Sequence, residues 1–149
     1  MGISRRDFLS GAASLLLSSA ISAPVLARVS FKSNPFSLGV ASGAPRPDSL
    51  VLWTRLAPDP LNGGGLDQHP IAVQWELAAD EGFHRLIRTG KTIASPQYAH
   101  SVHVEVSGLE PGRKYWYRFF AADAVSETGQ TQTAPAANAI TPVNFAFAS

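Results

Sequence analysis

Between Phe36 and Thr133 the chain is a succession of short runs in which apolar and polar residues alternate, each closed by a cluster rich in glycine, proline or aspartate. Helices need apolar residues at spacings of three and four, whereas strands need them at every second position, so this pattern commits the segment to strands. In Ser49-Leu-Val-Leu-Trp-Thr-Arg-Leu56 the alternation puts Val51, Trp53 and Arg55 on one face and Leu50, Leu52, Thr54 and Leu56 on the other. Ile71, Val73, Trp75 and Leu77 repeat in strict period two, as do Val102, Val104 and Val106. The expected strands are 36–41, 49–56, 71–77, 86–93 with a break at Gly90, 100–106, 114–122 and a polar edge strand at 127–133. The loop 57–70 holds Gly63, Gly64 and Gly65 in a row together with Pro58, Pro60 and Pro70, which no strand tolerates. Strands at this spacing, without an amphipathic helix, predict an all-β fold built as a two-sheet β-sandwich.

The most specific structural signal is Leu109-Glu-Pro-Gly-Arg-Lys-Tyr115-Trp-Tyr117-Arg-Phe119. A leucine and the turn at Pro111-Gly112 precede a tyrosine that opens an alternating aromatic strand. This arrangement resembles the fibronectin type III domain, a relative of the immunoglobulin fold, in which such a tyrosine bonds its hydroxyl to nearby backbone. The resemblance implies that Tyr115, Tyr117 and Phe119 face the core with Leu109, Trp75 and Val104, while Trp116 and Arg118 point outward.

The first 27 residues read as an address. Ser4-Arg5-Arg6-Asp7-Phe8-Leu9 is a charged start, residues 11–20 form a modest apolar stretch, and Val25-Leu26-Ala27 is a small-residue end. Ser4, Arg5, Arg6, Phe8 and Leu9 resemble the twin-arginine export signal. That implies the twin-arginine translocase as a transient partner and a periplasmic or secreted product. Cleavage is expected after Ala27, with Ala23 as the alternative. The stretch falls short of the roughly 20 apolar residues of a stable membrane span. An amphipathic first helix is the competing reading. Residues 28–35 are an N-terminal extension to the sandwich at 36–133.

Past the sandwich, 134–142 is rich in alanine and proline and reads as an extended linker. Val143-Asn-Phe-Ala-Phe-Ala-Ser149 is apolar on both faces, as in strands buried within a sheet. It is expected to be the first strand of a further domain, which makes the chain a fragment of something longer.

Composition narrows the chemistry. The chain of 149 residues has no cysteine, so disulfides, thiolate nucleophiles and cysteine-ligated metals are excluded. Beyond residue 27 basic and acidic residues balance, which argues against nucleic acid as a partner. His100 and His103 lie three apart on an expected strand and face opposite sides. His103 and Glu105 share a face, but it is the wet one. Asp59, Asp67 and His69 share the glycine-rich loop in a spacing that matches no metal motif, and His84 beside Arg85 and Arg88 reads as a solvated corner. Arg55 is placed to stack on Trp53 or to meet a neighbouring domain. Neither Ser42-Gly43 nor Gly63–Gly65 is a phosphate-binding loop. No catalytic residue and no metal ligand is expected in this chain.

Several pieces occur together in a recognisable order. They are the paired arginines, Phe36-Ser-Leu-Gly-Val-Ala-Ser-Gly43, Asp48-Ser-Leu-Val-Leu-Trp-Thr-Arg55, Leu109 to Arg118, and Phe145-Ala-Phe-Ala-Ser149. In this the chain resembles the alkaline phosphatase D (PhoD-like) family. The resemblance implies a signal peptide followed by the family's N-terminal sandwich, with a metallophosphoesterase domain beginning at 143–149. It also implies hydrolysis of phosphate mono- and diesters by iron and calcium held in that second domain, whose ligands match no residue here. The chain alone is therefore expected to be inactive, an accessory unit packed on the catalytic domain. The alternative is a free-standing secreted binding module that meets its ligand through the 57–70 loop or Trp116.

Overall fold

The computed structural model describes residues 30–140 and 142; the signal motif Ser4, Arg5, Arg6, Phe8 and Leu9 and the expected strand at 143–149 lie outside them. The described residues form eight strands: β1 (Val40–Gly43), β2 (Ser49–Arg55), β3 (Ile71–Ala78), β4 (Leu86–Ala94), β5 (Ser101–Ser107), β6 (Lys114–Ala121), β7 (Ala124–Val125) and β8 (Gly129–Gln132). One 3-10 turn, Pro96–Tyr98, leads into β5. A three-stranded sheet has the order β1-β2-β5, and a five-stranded sheet has the order β4-β3-β6, with β7 and β8 both paired to the far side of β6. All pairings are antiparallel. Two antiparallel sheets in this order, closed by a tyrosine corner, are a fibronectin type III-like sandwich. Among the described residues no helix is long and apolar enough to cross a membrane.

Both sheets turn their alternating apolar residues inward. Leu50, Leu52, Leu56, Val102, Val104 and Val106 from one sheet meet Ile71, Val73, Leu77, Tyr115, Tyr117 and Phe119 from the other in a single core. Each such side chain contributes roughly 1.5–3 kcal/mol on burial. The buried polar groups on this face are satisfied; Thr54 Oγ1 donates to Gly39 O at 3.0 Å. Tyr115 is buried, and its hydroxyl accepts the Glu110 N–H at 2.9 Å. Leu109 is buried beside it, anchored by its N–H to Asp48 O, and Gly112 supplies the left-handed φ of +65° that the turn needs.

Four local expectations are corrected. The first strand begins at Val40, not Phe36: Gly39 closes a turn by donating to Phe36 O, and Phe36 is a buried plug beneath the end of the sandwich. Gly90 does not break its strand. It pairs with Trp75, whose indole lies where a side chain at 90 would stand, 2.6 Å from an ideal Cβ. Trp75 is consequently half-buried over Gly90 rather than enclosed. His100 precedes β5 with φ +57° and is buried, its Nε2 3.0 Å from the His69 carbonyl; an oxygen that only accepts requires the proton on Nε2.

The last correction concerns the edge strand, which is two pieces. After the turn at Ala122 and Asp123, β7 pairs with Phe120 and Ala121, and β8 resumes opposite Lys114 to Tyr117. Ser126 fills the gap. Its N–H donates to Phe119 O, while its Oγ accepts the Phe119 N–H at 2.9 Å and donates to Glu127 O at 2.7 Å. A side chain thus replaces a ladder bond where the backbone bulges.

Candidate functional site

The polar residues that invite a catalytic reading do not converge. His103 and Glu105 are exposed on the outer face of β5. Asp59 is tied into its own loop, where its backbone exchanges bonds with Gly64 and its carboxylate accepts both contacts from the Asn62 amide at 3.1 and 3.2 Å. Asp59, Asp67 and His69 line an open cleft of about 770 Å³ with Lys32 and Ser33 of the N-terminal extension. Among the described residues no three His, Asp or Glu side chains gather in a way that would hold a metal ion. His84 Nδ1 lies 3.1 Å from Asp80 Oδ1 on an exposed corner. The His84 N–H and, less strongly, the Arg85 N–H and the His84 ring hold the Asp80 carboxyl below its usual range.

Arg55 and Trp53 share the outer face of the three-stranded sheet, but Arg55 does not stack on the indole. Its Nε donates to Ala99 O at 2.9 Å, and its Nη2 lies against the backbone of Gly64. Arg55 therefore ties β2 to the turn before β5 and to the glycine loop. Trp53 is half-buried between Ala41 and His103 on the adjacent strands.

The most organised surface lies on the other sheet. Alternation along β6 sends Trp116, Arg118 and Phe120 outward, all half-buried. The Arg118 guanidinium sits 4.0 Å from the centroid of the Phe83 ring and 5.1 Å from that of Phe120, so cation–π attraction acts from two rings. Its Nε and Nη2 both donate to Glu76 Oε2, at 3.0 and 2.9 Å. β3 carries Glu76 directly across from Arg118, and this register brings the charges together. Phe83 comes from the β3–β4 turn with φ +56°, which a non-glycine residue adopts at a cost. Beside Phe120, a recess of about 360 Å³ is lined by Gln74, Glu76, Thr89, Lys91 and Phe120 over the Gly90 backbone. The outward set of Trp116 and Arg118 follows from alternation. Phe83 and Glu76 do not, because they reach Arg118 through a turn conformation and a strand register.

Residues 20–135 match the family model described as PhoD-like phosphatase, N-terminal domain. The chain is similar to alkaline phosphatase D of Bacillus subtilis (strain 168), 49% identical over 154 aligned residues, covering 97% of this chain and 26% of that protein. It is also similar to a solved structure of PhoD, with a TM-score of 0.75 and 54% identity over 76% of this chain and 22% of the other. The chain spans about a quarter of the length of these relatives.

Proposed function

The chain belongs to the PhoD-like phosphatase N-terminal domain family, and from that premise we propose that it is the non-catalytic sandwich of an exported, metal-dependent phosphoesterase. The observation that carries this reading is the match over the whole sandwich to a relative whose remaining three quarters lie beyond it. Iron and calcium, the ions the family uses, find no ligand set among the described residues, so no hydrolytic step is assigned to them. What these residues do supply is a rigid body: two sheets locked by a common core, with the charged pair Arg118–Glu76 and its aromatic neighbours held on one outer face. In this reading the sandwich stabilises or shapes the hydrolytic portion and does not itself attack phosphorus.

The test is an assay of the purified chain on a phosphate monoester and a phosphodiester with iron and calcium added. No turnover above buffer is expected; turnover that stays with the protein through purification would overturn the reading. Export by the twin-arginine translocase to the periplasm or beyond belongs to the same proposal, supported by Arg5 and Arg6 ahead of Phe8 and Leu9. Replacing both arginines by lysine should leave the product in the cytoplasm, and unchanged export would sink that route.

A further inference from the structure

We propose that the outer face of the five-stranded sheet, centred on Arg118, is the surface on which the phosphoesterase portion of the same polypeptide docks; this rests on the accessory reading above. An antiparallel sheet that meets only water on one side carries polar residues there. This face instead carries Trp116, Phe120 and Phe83, with Val125 at its edge 49% exposed. Aromatic residues around an arginine are the composition of interface anchors. The one strong charge in the middle is already matched, because Arg118 donates twice to Glu76. A partner can therefore cover it without burying an unpaired ion.

Phe83 is the telling residue. Its backbone is held left-handed by its N–H to Asp80 O, while the Asp80 carboxylate accepts the next two N–H groups, from His84 and Arg85. The outcome is an aromatic ring laid on the outside of the sheet, where the sandwich core gains nothing from it. The recess beside Phe120 adds a receptor for a side chain from the partner. The route of the chain points to the same face. β8 runs along the β6 edge of this sheet, with Gln130 paired to Trp116 and Gln132 to Lys114, so residues 133–142 leave beside it. Nine extended residues span about 30 Å, enough to carry a C-terminal portion across these strands.

The experiment places this chain in the position of the matching N-terminal quarter of the Bacillus subtilis alkaline phosphatase D. Hydroxyl-radical footprinting then compares side-chain oxidation in the active chimera and in the free chain. Rates at Phe83, Trp116 and Phe120 should fall severalfold in the chimera. Protection confined to another face, such as Leu61 and Tyr98, which are 93% and 69% exposed, would overturn the assignment and leave the accessory reading standing. No protection anywhere would sink both. A second arm needs no chimera: Phe83→Gly relieves the left-handed backbone, so the free chain should keep or raise its Tm. A clear fall in Tm would make the ring part of the sandwich's own stability and refute its role as a docking element.

Discussion

The most informative single residue is Tyr115. It joins two roles in one side chain: a ring that fills the core and a hydroxyl that accepts the Glu110 N–H across the turn before β6. Tyr115→Phe keeps the ring and strands one half-buried donor, which costs about 1–2 kcal/mol. Tyr115→Ala also opens a cavity among Leu109 and the valines of β5, raising the loss to about 3–5 kcal/mol. Urea unfolding of the two variants measures both, and equal losses would mean that the hydroxyl bond contributes nothing beyond the ring. This residue is legible in the sequence because its signature is local: a leucine, a Pro-Gly turn and an aromatic alternation within eleven residues. Trp75 shows the limit of the same logic. Period two assigns it to the core face correctly, but its degree of burial depends on Gly90 across the strand pair, where the absent side chain lets the indole spread toward the rim.

Strand faces are legible because alternation is a property of one strand, whereas strand ends depend on partners. β2 and β6 occupy nearly the expected residues, and their inward sets are the buried ones. The start of β1 is hidden because Phe36 and Leu38 look strand-like in isolation. What removes them from the sheet is the turn closed at Gly39, where φ is +72°. The split between β7 and β8 is equally hidden, since a serine in a polar run gives no sign that it will stand in for a backbone donor and acceptor. Its position makes a sharp prediction. Ser126→Ala leaves the Phe119 N–H without its acceptor in a buried site, at a cost of about 1–3 kcal/mol. Ser126→Thr keeps an oxygen at that point and should recover part of the loss. Thermal unfolding of both variants reads the difference, and a silent Ser126→Ala would show that the bulge is held by its backbone bonds alone.

For the molecule as a whole, the sandwich closes where β1 approaches β8, and Tyr117 stands at that seam. Its ring packs against Gly129, leaving no room for a side chain there, and its hydroxyl reaches Ser42 on β1. The candidate face on the far side of the same sheet is only half legible in the sequence, because Arg118 is visible in the alternation of β6 but Phe83 and Glu76 arrive by tertiary routes. The seam has a consequence that belongs to the whole fold. Burial pushes the Tyr117 hydroxyl above its ordinary value of 10.0; the bond to Ser42 opposes this and the nearby Glu127 carboxylate reinforces it. The unfolded chain therefore gives up this proton first as pH rises, and above about pH 10 the folded state holds more protons than the unfolded one. Stability is fully present below that pH and falls as the pH climbs toward the raised folded value. Denaturation midpoints taken at about pH 8 and about pH 10.5 should drop more for the native chain than for Tyr117→Phe, which has no proton to lose at this seam. Because Tyr98 and Tyr115 titrate in both proteins, the difference between the two drops isolates Tyr117, and equal drops would show that its ionisation is not coupled to closing the sandwich.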